Sequence, residues 1–228
     1  MPIIQLENIH KKYILGETEV YALNSVDVSV KRGEFVAVVG PSGSGKSTML
    51  HIAAGLDKPD QGRVKLIDGY IENQKEKHLA KIRNQNVGFV FQTFNLIPVL
   101  TVMENINYPR LINKRKTTDE AYVEDLLRDL GIWEHRHKRP NQLSGGQRQR
   151  VAIARALVNA PSVVFADEPT ANLDHKTGEQ IMEIMGELNE KYGVTFMFST
   201  HDPKIMRVAK RIITIADGKI TGFENVKN

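Results

Sequence analysis

The chain has 228 residues, no cysteine, 41% hydrophobic residues and a formal net charge of +4. This length and composition suit one globular domain with a sizeable core and exclude collagen-like and intrinsically disordered chains. The lack of cysteine excludes disulfides, thiol nucleophiles and cysteine-ligated metals, and the small positive charge does not indicate nucleic-acid binding. No apolar run approaches the ~20 residues that cross a bilayer, so we expect another polypeptide to do any membrane crossing.

The first 92 residues alternate between short apolar runs and polar turns, which predicts several strands and two helices. The continuous apolar run Phe35–Val39 is typical of a strand buried on both faces of a parallel sheet. In chain order the predicted elements are strands Ile3–Leu6, Val26–Val30 and Phe35–Val39, a helix from Ser47 to Gly55, strand Arg63–Ile67, helix Lys75–Ile82 and strand Val87–Phe91.

Residues from about 93 to 158 have helical periodicity instead, at Val102–Ile106, Glu120–Leu130 and Gln147–Val158. We interpret this stretch as an inserted, mostly helical subdomain. Strands Val163–Ala166, Val194–Ser199 and Ile212–Ile215 follow it, with helix Lys176–Lys191 among them. Alternating strands and helices of this kind indicate an α/β fold with a parallel-sheet core. We therefore predict a single domain whose core comprises residues 1–92 and 159–228.

A glycine-rich loop follows the buried strand Phe35–Val39 and matches the pattern G-x-x-x-x-G-K-[ST] from Gly40 to Ser47. Its backbone N–H groups and the start of the next helix suit a chain of phosphates. Lys46 is expected to reach the β- and γ-phosphates, and the Ser47 hydroxyl is expected to bind Mg²⁺. The alternative is a chance glycine turn, which the preceding strand and the following helix disfavour.

Two carboxylates follow the strand Val163–Ala166, namely Asp167 and Glu168. The carboxyl ends of parallel strands meet at the sheet edge where ligands of α/β folds bind. We expect Asp167 to bind Mg²⁺ through water and Glu168 to orient or deprotonate an attacking water. Together with the glycine loop, these acids predict a Mg²⁺-dependent nucleoside triphosphatase.

A second anion-binding motif, Leu143-Ser-Gly-Gly-Gln147, opens the helix that precedes Asp167. It offers a hydroxyl, bare N–H groups and a helix N-terminus. One phosphate chain has no evident use for two such surfaces in one polypeptide. Two chains arranged head to tail could each present this motif to the nucleotide on the other's glycine loop.

With these motifs in this order and spacing, the sequence resembles the ATP-binding subunits of ABC transporters over nearly its whole length. The resemblance implies a P-loop NTPase core of the RecA-like type with an N-terminal antiparallel β subdomain and an inserted helical subdomain. It implies that Gln92 touches Mg²⁺ and senses a membrane subunit, and that His201 contacts the γ-phosphate. It also implies that Asp174 lies in a loop linking two active sites and that Tyr13 stacks on adenine, with Tyr21 as a nearby alternative to Tyr13.

The implied cofactors are ATP and Mg²⁺, and the implied site falls into three groups of residues. The catalytic group is Glu168, His201, Lys46 and Gln92. The metal group is Ser47, Gln92 and Asp167. The nucleotide-binding group is Tyr13, Gly40, Pro41, Ser42, Gly43, Ser44, Gly45, Lys46, Ser47, Thr48, Ser144, Gly145, Gly146, Gln147 and Asp174.

Other histidines have no matching role in this family, and we interpret them as surface or packing residues: His10, His51, His78, His135, His137 and His175. One residue departs from the family, Asn172, where a small residue such as Ala or Ser is frequent. The essential Asp174 is retained, so this departure questions fine tuning rather than activity.

The stretch from Val87 to Asn105 resembles the lipoprotein-release and macrolide-export branch more narrowly. The expected partners are a membrane-spanning permease and a second copy of the chain in an ATP-dependent head-to-tail dimer, with no nucleic acid. The expected location is cytoplasmic, on the inner face of the cell membrane through that permease. The alternative kept open is a non-transporting signaller of the cell-division type, which uses the same ATPase.

An apolar cluster, Phe94, Leu96, Ile97 and Val99, follows Gln92. It suits a groove that accepts a short helix of the membrane subunit. Core packing of the helical segment is the equally weighted alternative.

Overall fold

The computed structural model describes residues 1–16, 18–112 and 118–226. It contains ten strands and seven α-helices within that part of the chain. The strands are β1 Pro2–Leu15, β2 Thr18–Lys31, β3 Phe35–Val39, β4 Gln61–Leu66, β5 Gly69–Tyr70, β6 Val87–Val90, β7 Val163–Ala166, β8 Thr195–Thr200, β9 Arg211–Ala216 and β10 Lys219–Asn225. The helices are α1 Lys46–Ala53, α2 Glu76–Asn86, α3 Val102–Ile112, α4 Glu120–Asp129, α5 Gly145–Leu157, α6 His175–Tyr192 and α7 Pro203–Met206.

A six-stranded sheet forms the centre of the molecule, with the order β10-β9-β3-β8-β7-β6. Strands β9, β3, β8, β7 and β6 pair in parallel, and β10 pairs antiparallel with β9. The predicted parallel α/β core is confirmed. Because neighbouring parallel strands all end at one edge, the loops that follow β3, β8, β7 and β6 lie side by side.

The central strands are buried on both faces, and this explains their continuous apolar runs. In β3, Phe35, Ala37 and Val39 join one hydrophobic cluster, whereas Val36 and Val38 join another. Strand β7 divides in the same way, since successive side chains of a strand point to opposite faces. The cluster on one face includes helices α3 to α6, and the cluster on the other includes α1 and the second sheet.

The second sheet has four strands in the order β2-β1-β4-β5, all paired antiparallel. It is the N-terminal antiparallel subdomain that the family resemblance implied. Its inward side chains, among them Ile4, Leu6 and Val28, pack with α1 in one cluster. This sheet therefore supports the helix that begins at the glycine loop.

The segment between β6 and β7 contains helices but no strand in its described part. It holds α3, α4 and α5 and two 3-10 turns, Trp133–His135 and Pro140–Gln142. Residues 113–117 of the predicted helical subdomain lie outside the described residues. The subdomain boundaries stay a prediction, because Val151, Ile153 and other α5 side chains share one hydrophobic cluster with β3 and β8.

The predicted elements differ from the observed ones mainly where side chains are exposed. The strands β3 and β7 begin and end where predicted, because both are wholly buried. Strands β1 and β2 run well beyond the predicted Ile3–Leu6 and Val26–Val30, into an exposed hairpin. The mostly exposed strand β10 and the four-residue helix α7 were not predicted, because neither carries a strong apolar period.

Candidate active site

The predicted catalytic residues follow four neighbouring strands at one edge of the central sheet. The glycine loop follows β3, His201 follows β8, Asp167 and Glu168 follow β7, and Gln92 comes two residues after β6. The strand ends are in register, with Val39 opposite Thr200 and Ala166 opposite Phe198. The parallel topology thus brings together residues more than 150 positions apart.

The glycines of the loop are required for two different reasons. A Cβ on Gly40 would lie 2.0 Å from the Ile215 carbonyl oxygen, and one on Gly45 would lie 2.3 Å from that of Ala22. Both positions therefore lack room for a side chain on the protein side. Gly43 has open space around it but a φ of +78°, a conformation that favours glycine. A further reason for glycine, expected from the sequence, is that phosphate must reach the backbone N–H groups of the loop.

Lys46 begins α1 and is buried, with 5% of its surface exposed. Its Nζ donates hydrogen bonds to the carbonyl oxygens of Gly40 and Pro41, each at 2.9 Å. The Glu168 Oε1 atom lies 4.0 Å from Nζ. The loop carbonyls therefore hold the ammonium group inside the curve of the loop, at the start of a helix.

Asp167 is held by two hydroxyl groups at one oxygen. Its Oδ1 accepts hydrogen bonds from Ser47 Oγ at 2.9 Å and from Ser199 Oγ at 2.7 Å. Its Oδ2 lies 4.0 Å from His51 Nε2. This places the predicted metal-binding hydroxyl and carboxylate in direct contact, so both oxygens can face one cation.

Glu168 has a strained backbone and a polar environment. Its φ is +43°, which is uncommon outside glycine, and its N–H donates to Ser199 Oγ at 2.8 Å. Its Oε1 lies 3.3 Å from His201 Nδ1. Ser199 thus connects both acids, and sequence reasoning missed this role because the contact depends on β7 and β8 being neighbours in the sheet.

Gln92 is exposed and lies in a turn. The backbone carbonyl oxygen of Gln92 accepts a hydrogen bond of 2.8 Å from Asn172 Nδ2. Asn172 is the residue that departs from the family, and here it connects the loop after β6 to the loop before α6. The departure therefore creates a contact between two loops of the site.

The motif Ser144–Gln147 forms the start of α5 and caps it. Ser144 Oγ accepts from the Gln147 N–H at 3.2 Å, and Gln147 Oε1 accepts from the Ser144 N–H at 2.9 Å. A Cβ on Gly146 would lie 2.6 Å from Thr177 Cγ2, so the motif packs tightly against the start of α6. Among the residues that the structure describes, its hydrogen bonds do not reach the glycine loop of the same chain.

Among the histidines that we interpreted as surface or packing residues, His51 and His135 have polar neighbours that belong to the candidate site. His51 lies near Asp167, as described above. His135 Nε2 lies 2.8 Å from Gln147 Nε2, and this half-buried side chain contacts the capping motif directly. The surface-or-packing interpretation did not include this contact. No sequence pattern signalled the contact, because it joins a 3-10 turn to a helix start.

Asp174 caps α6 and is exposed. Its Oδ1 accepts from the Thr177 N–H at 3.1 Å. Hydrogen bonds from the Thr177 side chain and backbone hold the pKa of this carboxyl below its usual value. The start of α6 thus carries a stable negative charge beside the start of α5.

Tyr13 lies on the exposed hairpin of the antiparallel sheet, with 38% of its surface exposed. Its hydroxyl donates to Asp57 Oδ2 at 2.9 Å, and the Lys11 ammonium lies 5.3 Å from its ring centre. Partial burial and the contact with Asp57 raise the pKa of its hydroxyl, although a contact with Thr48 opposes this. Thr48 belongs to α1, so Tyr13 is adjacent to the helix that follows the glycine loop.

A cleft of about 440 Å³ opens beside Glu168. It is lined by Glu168, by the loop Leu173–His175 and by residues around His201. Glu168 therefore borders open space on the side of the Asp174 loop, where a second chain could approach.

In the part of the chain that the structure describes, no helix is long and apolar enough to cross a bilayer.

Comparison with known proteins gives a consistent result. The family model described as "ABC transporter" matches residues 23–171. An ABC transporter ATP-binding protein of Methanocaldococcus jannaschii, MJ0796, is 46% identical over 99% of this chain and 98% of its own length. Its dimeric structure in a post-hydrolysis state, bound to ADP and Pi, matches 99% of both chains with a TM-score of 0.88.

Two further relatives carry functional names. The lipoprotein-releasing system ATP-binding protein LolD of Cytophaga hutchinsonii is 44% identical over 96% of this chain and 98% of its own length. The macrolide export ATP-binding/permease protein MacB of Syntrophobacter fumaroxidans is 44% identical over 96% of this chain, which corresponds to 31% of MacB.

Proposed function

The chain belongs to the ABC transporter family of ATP-binding proteins, and from this premise we propose that it hydrolyses ATP to drive a separate permease. The observation that carries the proposal is the sheet edge where Lys46, Ser47, Asp167 and Glu168 converge within hydrogen-bonding or ion-pair distance. The names of LolD and MacB support a role in export or extrusion. They favour transport over the cell-division type of signalling.

The glycine loop binds the phosphates of ATP in this proposal. Backbone N–H groups between Ser42 and Thr48 and the N-terminus of α1 face the anion, and Lys46 stabilises the β- and γ-phosphates. Lys46 is already oriented by two carbonyl oxygens, so little reorganisation accompanies binding. Tyr13 stacks on adenine, which its position next to Thr48 supports.

Ser47 and Asp167 fit a magnesium ion, with Gln92 as a further ligand. Hydroxyl and carboxylate oxygens suit this hard cation, which commonly binds few protein groups together with substrate phosphates. The contact of 2.9 Å between Ser47 Oγ and Asp167 Oδ1 shows that these oxygens share one small region. When bound, the ion neutralises charge on the phosphates.

Glu168 orients or deprotonates the attacking water, and His201 stabilises charge on the transferring phosphoryl group. Phosphoryl transfer needs little covalent assistance, so positioning and electrostatics provide the catalysis. The backbone bond from Glu168 to Ser199 fixes the base, and His201 lies 3.3 Å from its carboxylate. The strained φ of Glu168 agrees with a functional position.

A second copy of the chain supplies Ser144, Gly145, Gly146 and Gln147 to the γ-phosphate. The dimeric architecture of the M. jannaschii relative, and the position of these residues away from their own glycine loop, support this arrangement. The permease, which also anchors the protein at the cytoplasmic face of the membrane, docks near Gln92. Phe94 and Leu96 pack partly against the core, whereas Val99 is 72% exposed and available to it.

The test is the substitution Glu168→Gln. We expect hydrolysis to fall about 10³-fold, because the general base is lost, while ATP binding persists and ATP converts monomer to dimer. Turnover is measured by phosphate release, and mass is measured by size-exclusion chromatography with light scattering. The control is Glu183→Gln on the exposed face of α6, which should behave as the unmodified chain. Rapid turnover by Glu168→Gln would contradict the assignment of the base.

A further inference from the structure

The contact between His135 and Gln147 has a defined hydrogen-bond direction. Gln147 Oε1 accepts a hydrogen bond of 2.9 Å from the Ser144 N–H, so this amide oxygen must face Ser144. The amide nitrogen, which can only donate, therefore faces His135 Nε2 at 2.8 Å. His135 Nε2 must accept, and an imidazole that accepts at Nε2 carries its proton on Nδ1.

The Nδ1 atom of His135 is buried and has no hydrogen-bond partner among the described residues. A buried N–H without an acceptor is unfavourable, so the imidazole is not present for the stability of the fold alone. Because Nδ1 has no partner, the position of the imidazole proton is determined by the contact of Nε2 with Gln147.

The turn that carries His135 is firmly held. Ile132 is fully buried before it, and the carbonyl oxygens of Arg136 and Lys138 accept bonds of 2.9 and 2.8 Å from the first N–H groups of α3. The guanidinium carbons of Arg128 and Arg136 lie 5.1 and 4.3 Å from the centre of the Trp133 ring. His135 therefore presents its nitrogen from a rigid support.

We propose that His135 is a positioning residue that holds Gln147, and through it Ser144, in the orientation that the nucleotide on the partner chain requires. It acts as the neutral tautomer with the proton on Nδ1. The proposal rests on the proposed function, since it concerns the motif offered to the second copy of the chain. It adds a residue outside the motif that determines how well the motif binds.

Two substitutions separate the hydrogen bond from packing. His135→Leu removes the acceptor, whereas His135→Gln can present a carbonyl oxygen in place of Nε2. His137→Leu is the matched control, because His137 is exposed two residues further on. All three are made in the Glu168→Gln chain, whose ATP-bound dimer accumulates.

We expect His135→Leu to raise the ATP concentration for half-maximal dimerisation about fivefold, as loss of one hydrogen bond per site predicts. His135→Gln should stay close to the parent, and His137→Leu should not differ from it. ADP affinity, measured by calorimetry on the monomer, should be the same in all, which also verifies folding. Dimerisation of His135→Leu like the parent, or equal impairment in His135→Gln, would overturn the proposal.

A second measurement does not depend on dimerisation. The ¹⁵N shifts of the imidazole, recorded on the full chain and assigned by their loss in His135→Gln, report which nitrogen carries the proton. The Nδ1–H tautomer is expected, and its loss is expected in Gln147→Leu. An Nε2–H tautomer in the unmodified chain would overturn the proposal. If the parent never forms an ATP-dependent dimer, the homodimer part of the proposed function fails, and the tautomer alone decides on His135.

Discussion

The glycine loop and the motif Ser144–Gln147 are both anion-binding helix starts, yet their surroundings differ. The glycine loop lies beside Asp167 and Glu168 on neighbouring strands, with a buried lysine inside it. The second motif contacts His135 and the start of α6, and its described hydrogen bonds reach no acid. In the proposed function, the first surface therefore carries the groups for chemistry, whereas the second contributes binding alone.

The difference shows how one polypeptide can encode a shared site. The motif Ser144–Gln147 has no metal-binding carboxylate and no general base of its own. It takes part in catalysis only when another chain brings these groups to it. This explains why ADP binding and dimerisation should respond to different residues. Substitutions at Ser144 and Tyr13 test that separation, and substitutions at Asp174 test the start of α6. They follow from the largest expected effect to the smallest.

Ser144→Ala should affect dimerisation most. It removes a hydroxyl that we place against the γ-phosphate and also removes the cap of α5. We expect the ATP concentration for half-maximal dimerisation of the Glu168→Gln chain to rise at least about tenfold, the effect of losing a hydrogen bond to a charged group. ADP affinity of the monomer should not change. A comparable loss of ADP affinity would mean that the two surfaces are not separate.

Tyr13→Ala should show the opposite selectivity with a smaller effect. Loss of a stacked ring is expected to weaken ADP and ATP binding about fivefold each, equivalent to about 1 kcal/mol. Calorimetry on the monomer measures this directly. Tyr21→Ala is the control, because Tyr21 is exposed on the adjacent strand, opposite Lys12. A larger effect of Tyr21→Ala would transfer the adenine contact to that residue.

Substitutions of Asp174 should have the smallest effect, a modest change in the melting temperature of the chain. Asp174→Ala removes the cap of α6 and should lower the melting temperature by about 2–4 °C at pH 7, whereas Asp174→Asn retains a capping oxygen and should change it little. Differential scanning calorimetry measures both.

The pH dependence follows from the lowered pKa of Asp174. A carboxyl whose pKa is lower in the folded chain stabilises it above the unfolded pKa of about 3.9, and this stabilisation is lost as the pH falls through the folded pKa. The advantage of the unmodified chain over Asp174→Ala should therefore shrink below about pH 4. A constant difference down to pH 2 would contradict the role of the charge.

How well a strand could be predicted from the sequence depended on how deeply its side chains are buried. Strands such as Phe35–Val39 and Val163–Ala166 were predicted residue by residue, because burial on both faces demands an uninterrupted apolar run. The glycine loop and the acids were found because their chemistry needs fixed residue types at fixed spacing. The ends of β1 and β2 and strand β10 were not found, because exposed strands place few constraints on their side chains.

The sequence by itself determined the fold class, the family and the candidate catalytic groups, since each leaves a local pattern of apolar runs or motif spacing. Only the tertiary structure showed that Ser199 joins Asp167 to Glu168, that Asn172 connects two loops and that His135 contacts Gln147. These contacts join residues distant along the chain or on separate elements. Whether such contacts form depends on which strand ends and helix starts lie side by side in the folded chain. No local pattern of the sequence encodes this arrangement.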